Sequence, residues 1–395
     1  MHQHKHGRDL PLRVDTLQGA VALHVLHGTV RPVQVPLMSE PFYTLRVTGV
    51  KRETPDSVSI SLQPLSADLA AFTFKAGQYL TLRRVLNGEE QRRNYSLCVS
   101  PAEGTLRIGV KKIPGGVFSS WANHDLKPGD TVEAMAPAGS FTRNFVPGAR
   151  NRYVAFAGGS GITPILSLIK SALETEPLST FTLLYGNRAS AHVMFLEELE
   201  GLKNLFMSRF ALFHILEEEE EEFALLNGRL DRSKADEMLR VLINPGLVDV
   251  FFICGPGPMM DAVEASLHAH GVAGDRILIE RFTAKPLSDE QRDAVAGLQA
   301  RATGLKMSVT LNGRKTMIAF TTGRDSILDQ VRAAGLAAPY SCKGGVCATC
   351  RAKVTAGRAE MKVNYGLSSE EVAQGYILTC QSLPVGEGLA ITYDV

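Results

Sequence analysis

Cys342, Cys347 and Cys350 fall within nine positions of one another in the run APYSCKGGVCATCRAKV (338–354), and Cys380 follows in YILTCQS. The spacing C-x4-C-x2-C with a distant fourth cysteine is that of plant-type [2Fe-2S] centres, in which four thiolates hold two irons. Gly344 and Gly345 suit that chemistry. A loop that wraps an inorganic core must turn backbone amides toward the sulfurs and leave little room for side chains. Structural zinc more often pairs two close C-x2-C knuckles; it stands as the competing reading, with buried free thiols behind it. A disulfide scaffold is disfavoured, because six cysteines in 395 residues are too sparse for one and their clustering points to metal or redox chemistry in a reducing compartment.

A second set of residues is suited to nucleotides. AGGSGITP (157–164) stands at a strand-to-helix junction: Gly159 and Gly161 permit a tight turn, and Thr163 and Pro164 suit the cap and first position of a helix whose N-terminus would hold a pyrophosphate. In YGNR (185–188), where an acid would bond the ribose hydroxyls of NAD, the chain has Arg188, and Arg229 in NGRLD offers a second cation. Basic residues there favour the 2′-phosphate of NADPH, with NADH still admissible and a plain surface arginine the bland alternative. CGPGPMMD places Cys254, Gly255 and Pro256 at the end of a strand, where open α/β sheets bind ligands. A small thiol could lie against a nicotinamide ring, although a lone cysteine there is more often packing.

In RRNYSL, Arg93 and Tyr95 share a strand face and Ser96 follows. A guanidinium matches phosphate and a phenol ring stacks on a flat heterocycle. GGVFSSW (115–121) adds a glycine turn leading into a short helix with free amides.

The elements that must position these groups change character along the chain. Six short β-branched and aromatic runs between Tyr43 and Pro137 predict an antiparallel barrel or sandwich. From Arg152 onward, strands alternate with helices, which predicts a parallel, doubly wound sheet. Residues 283–306 are polar and rich in small side chains, as an interdomain linker would be, with part of it helical. From Met307 a hairpin around Asn312-Gly313, a helix and the cysteine loop make a small α+β unit. Residues 1–39 carry scattered histidines and prolines and are expected to be a flexible extension, and the run Glu217 to Glu222 an exposed loop, with an acidic docking patch as the alternative.

Composition narrows the partners. With 45% hydrophobic residues, 21% charged residues and a net charge of +1, the chain is globular and has no broad attraction for nucleic acid or anionic lipid. No apolar run approaches the roughly 20 residues needed to span a bilayer, so a cytoplasmic protein with no membrane and no nucleic-acid partner is expected.

Taken in order, RRNYS, GGVFSSW, AGGSGITP, YGNR, CGPGPMMD and ERF resemble the motif series of ferredoxin-NADP reductase-like flavoproteins, over nearly everything from Phe42 onward. With the C-terminal cysteine segment, the chain is similar to the fused reductases of bacterial multicomponent oxygenases. The resemblance implies an antiparallel β-barrel FAD domain (40–149), an α/β parallel-sheet NAD(P)-binding domain (150–282), a linker (283–306) and an α+β β-grasp ferredoxin domain (307–395). It implies that Arg93, Tyr95 and Ser96 bind FAD, with Tyr95 against the isoalloxazine and Ser96 near its reactive edge. Gly116, Val117, Phe118 and Ser119 would cradle the FAD pyrophosphate. Gly159, Gly161, Thr163 and Pro164 would face the nicotinamide nucleotide, and Cys254, Gly255 and Pro256 the nicotinamide. Glu280 corresponds to a carboxylate near the flavin, although here it precedes a linker instead of ending the chain. Ser96, Cys254 and Glu280 are thus the catalytic candidates.

By this resemblance NAD(P)H delivers two electrons as hydride, FAD takes both and releases them singly, and the [2Fe-2S] cluster passes one at a time. The implied partner is the non-haem di-iron oxygenase component of a multicomponent complex, with ring-hydroxylating or steroid oxygenases as alternative acceptors. The linker would let the cluster domain swing between flavin and acceptor. A nucleotide- or redox-sensing binding protein is the reading from another class.

Overall fold

The computed structural model describes residues 41–65 and 68–395; the expected N-terminal extension lies outside them. The first sheet contains β1 (Tyr43–Thr54), β2 (Ser57–Pro64), β3 (Tyr79–Leu86), β4 (Glu89–Ser96), β5 (Leu106–Lys111) and β6 (Thr131–Ala134). Its order is β4-β3-β6-β1-β2-β5 and every pairing is antiparallel. A bridge between Leu97 and Ile108 joins the two edges, so the sheet closes into a barrel and leaves few unpaired edge groups. Inward-facing Leu45, Val47, Ile60, Leu80 and Ile108 fill it, and α1 (Val117–His124) contributes Phe118 to the same core.

The second unit runs β7 (Arg152–Gly158), α2 (Ile162–Thr175), β8 (Thr180–Asn187), α3 (Leu196–Leu205), β9 (Phe210–Leu216), α4 (Arg232–Val241), β10 (Val250–Cys254), α5 (Gly257–Ala269) and β11 (Ile277–Glu280). Its sheet is parallel throughout, in the order β11-β10-β7-β8-β9. One face is covered by α2 and α3 through Ile165, Ile169 and Leu199, the other by α4 and α5 through Met238 and Val263. Parallel strands buried on both faces explain the apolar runs YVAFAG and VFFIC. Helix α4 escapes the sequence reading because it is polar overall. Only Ala235, Met238 and Leu239 are buried, and its start is set by Asp231, which accepts from the Lys234 amide.

The barrel and this sheet meet through a charged knot. Lys170, 5% exposed, contacts Glu103 at 2.9 Å and also Glu198, which receives Arg107. Gly109 on β5 lets the two units close: a Cβ there would lie 2.7 Å from Thr163 Cγ2.

The third unit holds α6 (Asp289–Ala302), β12 (Lys306–Leu311), β13 (Arg314–Ala319), α7 (Ile327–Ala333), β14 (Arg351–Ala356), β15 (Ala359–Met361), α8 (Ser369–Ala373), β16 (Tyr376–Leu378), β17 (Ser382–Pro384) and β18 (Leu389–Thr392). The main sheet has the mixed order β13-β12-β18-β14-β16, with β12 parallel to β18, and β15 pairs separately with β17. Asn312 and Gly313 both have positive φ, 53° and 70°, as a two-residue hairpin of the primed type requires. Helix α6 lies within the expected linker, yet Ala302 and Leu298 pack on Phe320 and Leu383. The helix therefore packs with this last unit, and the connection before it shortens to about residues 281–288, tied down by Arg281, which pairs with Asp261 at 2.8 Å.

Candidate redox site

The four thiols meet as two pairs: Cys342 hydrogen-bonds Cys347, and Cys350 hydrogen-bonds Cys380. Within each pair one thiol is pulled down, Cys347 by the hydrogen bond from Cys342 and Cys380 by the one from Cys350. Backbone amides add to this, with Cys342 N 3.4 Å from Cys347 Sγ and Gly344 N 3.3 Å from Cys342 Sγ. The loop bends through positive φ at Lys343 (53°), Gly345 (77°) and Ala348 (55°). At Gly345 a Cβ would lie 2.9 Å from Gln381 Cγ, so the space beside the thiols admits no side chain there. Two thiol pairs, amide donors and a tight turn at Gly345 fit a two-iron cluster: Cys342 and Cys347 would hold one iron, Cys350 and Cys380 the other.

The loop is docked on the barrel, and β4 shows how. Its even-numbered residues face the loop: Arg92 donates to the Tyr340 carbonyl at 2.8 Å, Glu90 accepts from Tyr340 Oη at 2.7 Å, and Asn94 accepts from Ser341. On neighbouring β3, Thr81 meets Ser341 at 3.1 Å, and Tyr79, 4% exposed, donates to the Cys347 carbonyl at 3.0 Å. The odd-numbered residues face elsewhere. Tyr95 packs on Phe118, ring centroids 5.7 Å apart, while Arg93 is exposed and donates to the Arg92 carbonyl at 2.7 Å and to Gln91 at 3.1 Å.

Between β4, β11 and the loop lies a cavity of about 180 Å³, lined among others by Arg93, Ser96, Glu280, Cys342 and Cys347. Burial, reinforced by the Cys347 thiolate, pushes the Glu280 carboxyl up to about 8, so it is mainly protonated at neutral pH and can donate into the cavity. A second cavity, about 420 Å³, opens at the start of α1 beside Gly115, Gly116, Val117, Ser120 and Trp121. Phe118 is buried, and the Ser119 hydroxyl turns inward to donate to the Gly116 carbonyl at 3.2 Å and accept from the Ile113 amide at 3.3 Å. Both brace the turn from within, while Ser120 and Trp121, missed in the sequence, face the cavity; their place one turn after Gly116 and Val117 is the signal that could have found them. First-turn helix amides beside one cavity and a second cavity reaching the thiol loop fit a flavin dinucleotide, while Tyr95 lines neither cavity.

At the carboxyl ends of β7, β8 and β9 lies a cavity of about 320 Å³ that gathers Gly158, Gly159, Arg188, Arg229 and Pro256, together with Lys111 from the barrel. Lys111 was not foreseen; only the basic end of "RIGVKK" hinted at it. Both arginines already meet acids: Arg188 lies 3.8 Å from Asp56 and Arg229 3.2 Å from Glu217. The glutamate run is an exposed loop, but not an idle one, since Glu219 accepts from the Ser190 amide at 2.8 Å.

Two expectations at this turn need correction. The N-cap of α2 is Gly161, not Thr163; Thr163 and Pro164 sit inside the first turn, both are buried, and the Thr163 hydroxyl donates to the Ser160 carbonyl at 3.0 Å. Gly161 is also needed for packing: a Cβ would lie 2.0 Å from the Cys254 carbonyl oxygen. Gly161, Thr163, Pro164, Cys254 and Gly255 therefore stand behind the cavity wall instead of lining it. The Cys254 thiol is fully buried and burial raises its pKa, with the Glu280 carboxylate adding to the effect.

Three family profiles match this arrangement in order: an oxidoreductase FAD-binding domain over residues 45–143, an oxidoreductase NAD-binding domain over 156–265 and a 2Fe-2S iron-sulfur cluster binding domain over 309–385. The chain is 41% identical to one component protein of the 1,2-phenylacetyl-CoA epoxidase of Escherichia coli K12, over 89% of this chain and 98% of that one. It belongs to the iron-sulfur flavoprotein reductases of oxygenase systems. A second reductase and one solved structure resemble the chain at lower identity. The ferredoxin reductase component of 3-ketosteroid-9-alpha-monooxygenase from Rhodococcus rhodochrous is 32% identical over 88% of this chain and 96% of its own. Phthalate dioxygenase reductase, a modular structure for electron transfer from pyridine nucleotides to [2Fe-2S], shares the fold at a TM-score of 0.53 and 23% identity, over 89% of this chain and 98% of that one. An oxygenase reductase of this family is an oxidoreductase that uses FAD, NAD(P)H and a [2Fe-2S] cluster to pass electrons to an oxygenase component. None of the described helices is long and apolar enough to cross a membrane.

Proposed function

We propose that this chain is the NADPH-dependent reductase of a cytoplasmic, non-haem di-iron oxygenase that epoxidises the ring of phenylacetyl-CoA. The observation that carries the acceptor is the 41% identity to the epoxidase component across 98% of its length, well above the 32% to the steroid-oxygenase reductase. NADPH is favoured by Arg188 and Arg229, which share the nucleotide cavity, and by Lys111, which lines the same cavity.

Bound FAD and cluster supply the conversion of a two-electron donor into single-electron steps. The chain supplies position. In this reading the odd face of β4, Arg93 and Tyr95, holds phosphate and flavin ring, with Ser96 and Glu280 at the ring's edge. Glu280, protonated at neutral pH, offers a proton or hydrogen bond from its carboxyl oxygen. Gly116 and Val117 present α1 amides to the pyrophosphate, and Gly159 opens the turn before α2 to the nicotinamide nucleotide. Cys254, Gly255 and Pro256 bound the nicotinamide end, the first two as backing for the wall. Cys342, Cys347, Cys350 and Cys380 hold the cluster, and the closed interface between β4 and the loop keeps water from the path.

The acceptor assignment is tested by supplying the purified di-iron oxygenase component of the E. coli epoxidase with this chain as its sole reductase. Turnover of phenylacetyl-CoA with NADPH is expected; none, with cytochrome c still reduced, overturns the assignment. For the nucleotide, Arg188→Ala should lower the ratio of NADPH to NADH efficiency about tenfold, roughly 1.4 kcal/mol. An unchanged ratio refutes the phosphate role.

A further inference from the structure

The cluster loop meets protein on one side and open surface on the other. On the barrel side, Tyr79, Thr81 and Asn94 grip residues 341 and 347, and Cys342 and Cys347 look into the flavin-side cavity. On the far side, Cys380 and Gln381 border an open groove of about 580 Å³ whose rim carries Arg324, Lys343 and Lys362. Lys343 is paired with Asp329 at 3.0 Å. Among the described residues neither Arg324 nor Lys362 meets a carboxylate: the guanidinium donates to the Thr321 hydroxyl at 2.7 Å and the ammonium to the Asp325 carbonyl at 3.0 Å. Gln381 ties groove to loop, its Nε2 donating to the Lys343 carbonyl at 2.8 Å and lying 3.8 Å from Cys380 Sγ. Asp325 and Asp329 line the same groove, so its three cations leave one net positive charge, carried by Arg324 and Lys362, beside the thiol pair that is turned away from the flavin-side cavity.

We propose that this groove is the docking face for the protein electron acceptor, and that the acceptor meets it with carboxylates placed around its own redox centre. The inference rests on the reading of the chain as an oxygenase reductase. Electrons enter on the Cys347 side and leave on the Cys380 side, so barrel and acceptor occupy opposite sides of the cluster at once, and no swing of the cluster domain is needed. Each passage moves one electron out and reduces the acceptor by one; two passages balance one NAD(P)H oxidised to NAD(P)+ and a proton. Unpaired cations at an open rim act on the encounter rate and register of an acidic partner more than on raw affinity, and their effect falls as salt rises.

The test uses the cofactor-loaded full chain and two one-electron acceptors of opposite charge, an acidic cytochrome b5 and a basic cytochrome c. The double variant Arg324→Glu with Lys362→Glu should lower kcat/KM for cytochrome b5 about tenfold at low salt and raise it for cytochrome c. Ferricyanide reduction and the electron paramagnetic resonance signal of the reduced cluster should not change. Lys315→Glu, at the hairpin end of β13, should alter neither cytochrome. If the double variant treats both cytochromes as the unsubstituted chain does, or if Lys315→Glu has the same effect, the groove is not the docking face. If the loaded, unsubstituted chain reduces ferricyanide but neither cytochrome, the reductase reading itself fails.

Discussion

The nucleotide cavity and the flavin-side cavity are assembled in opposite ways. The first is made mostly within one sheet, by backbones pressed together at strand ends: Gly161 against the Cys254 carbonyl, and Gly255 with its Cβ position 2.9 Å from the Gly158 amide. The second is made between units, by side chains reaching across: Tyr79 to Cys347, Asn94 and Thr81 to Ser341, Arg92 to Tyr340. A backbone seam has no slack and fails when a methyl is added. A side-chain seam has slack and loosens when an oxygen is removed.

The largest effect is expected where the side-chain seam meets the cluster. Cys380→Ser removes one ligand of the outward pair and should abolish the cluster's visible absorption and paramagnetic signal, and with them cytochrome reduction, while ferricyanide reduction at the flavin persists. Loss of both activities together would mean that the two cavities are not separate workplaces. Next is the backbone seam. Gly161→Ala places a carbon where the Cys254 carbonyl oxygen already sits, and neither neighbour is a flexible side chain. A loss of about 3 kcal/mol or more is expected, read from the denaturation midpoint. A change below about 1 kcal/mol would show that the strand ends can slide apart.

Tyr79→Phe sits lower on the scale. It deletes the donor to the Cys347 carbonyl in a closed interface, at a cost of about 1–3 kcal/mol to the docked arrangement. Flavin reduction by NADPH should keep its rate, the later phase in which the cluster is reduced should slow, and proteolysis near residues 281–288 should quicken. An unchanged cluster-reduction phase would show that the loop is held by the Arg92 and Tyr340 contacts alone.

The same contrast explains what could be read from the chain. The cysteine loop was legible because three of its four ligands lie within nine positions and carry their chemistry in their spacing. Both glycine turns were legible for the same local reason. The placement of Thr163 was not: whether a residue caps a helix or backs a wall depends here on the approach of Cys254, which lies far along the chain. Tyr79, Asn94, Tyr340 and Ser341 left no signal at all, since each acquires its meaning from a partner 247 to 268 residues distant. Helix α6 looked like linker because its composition is polar, and only Leu298 and Ala302 reveal that it packs.

Per pH unit, the smallest effects come from one titratable group in each region, and their signs oppose. Glu280, at the flavin-side cavity, is raised from 4.5 to about 8, chiefly by burial. The folded chain therefore holds a proton that the unfolded chain releases between those values, so stability falls as pH climbs from 4.5 through 8, by at most about 1.4 kcal/mol per pH unit. His214 on β9, beside Tyr185 whose hydroxyl donates to the Gly159 carbonyl under the nucleotide turn, is lowered from 6.5, first by burial. There the unfolded chain takes up the proton first, so stability is full above 6.5 and is lost as pH falls through the lowered value. Glu280→Gln should flatten the descent toward alkaline pH and leave the acid limb alone; His214→Gln should do the reverse. Denaturation midpoints measured from pH 5 to 9 separate the two, and if both variants flattened the same limb the two regions would be one titrating unit.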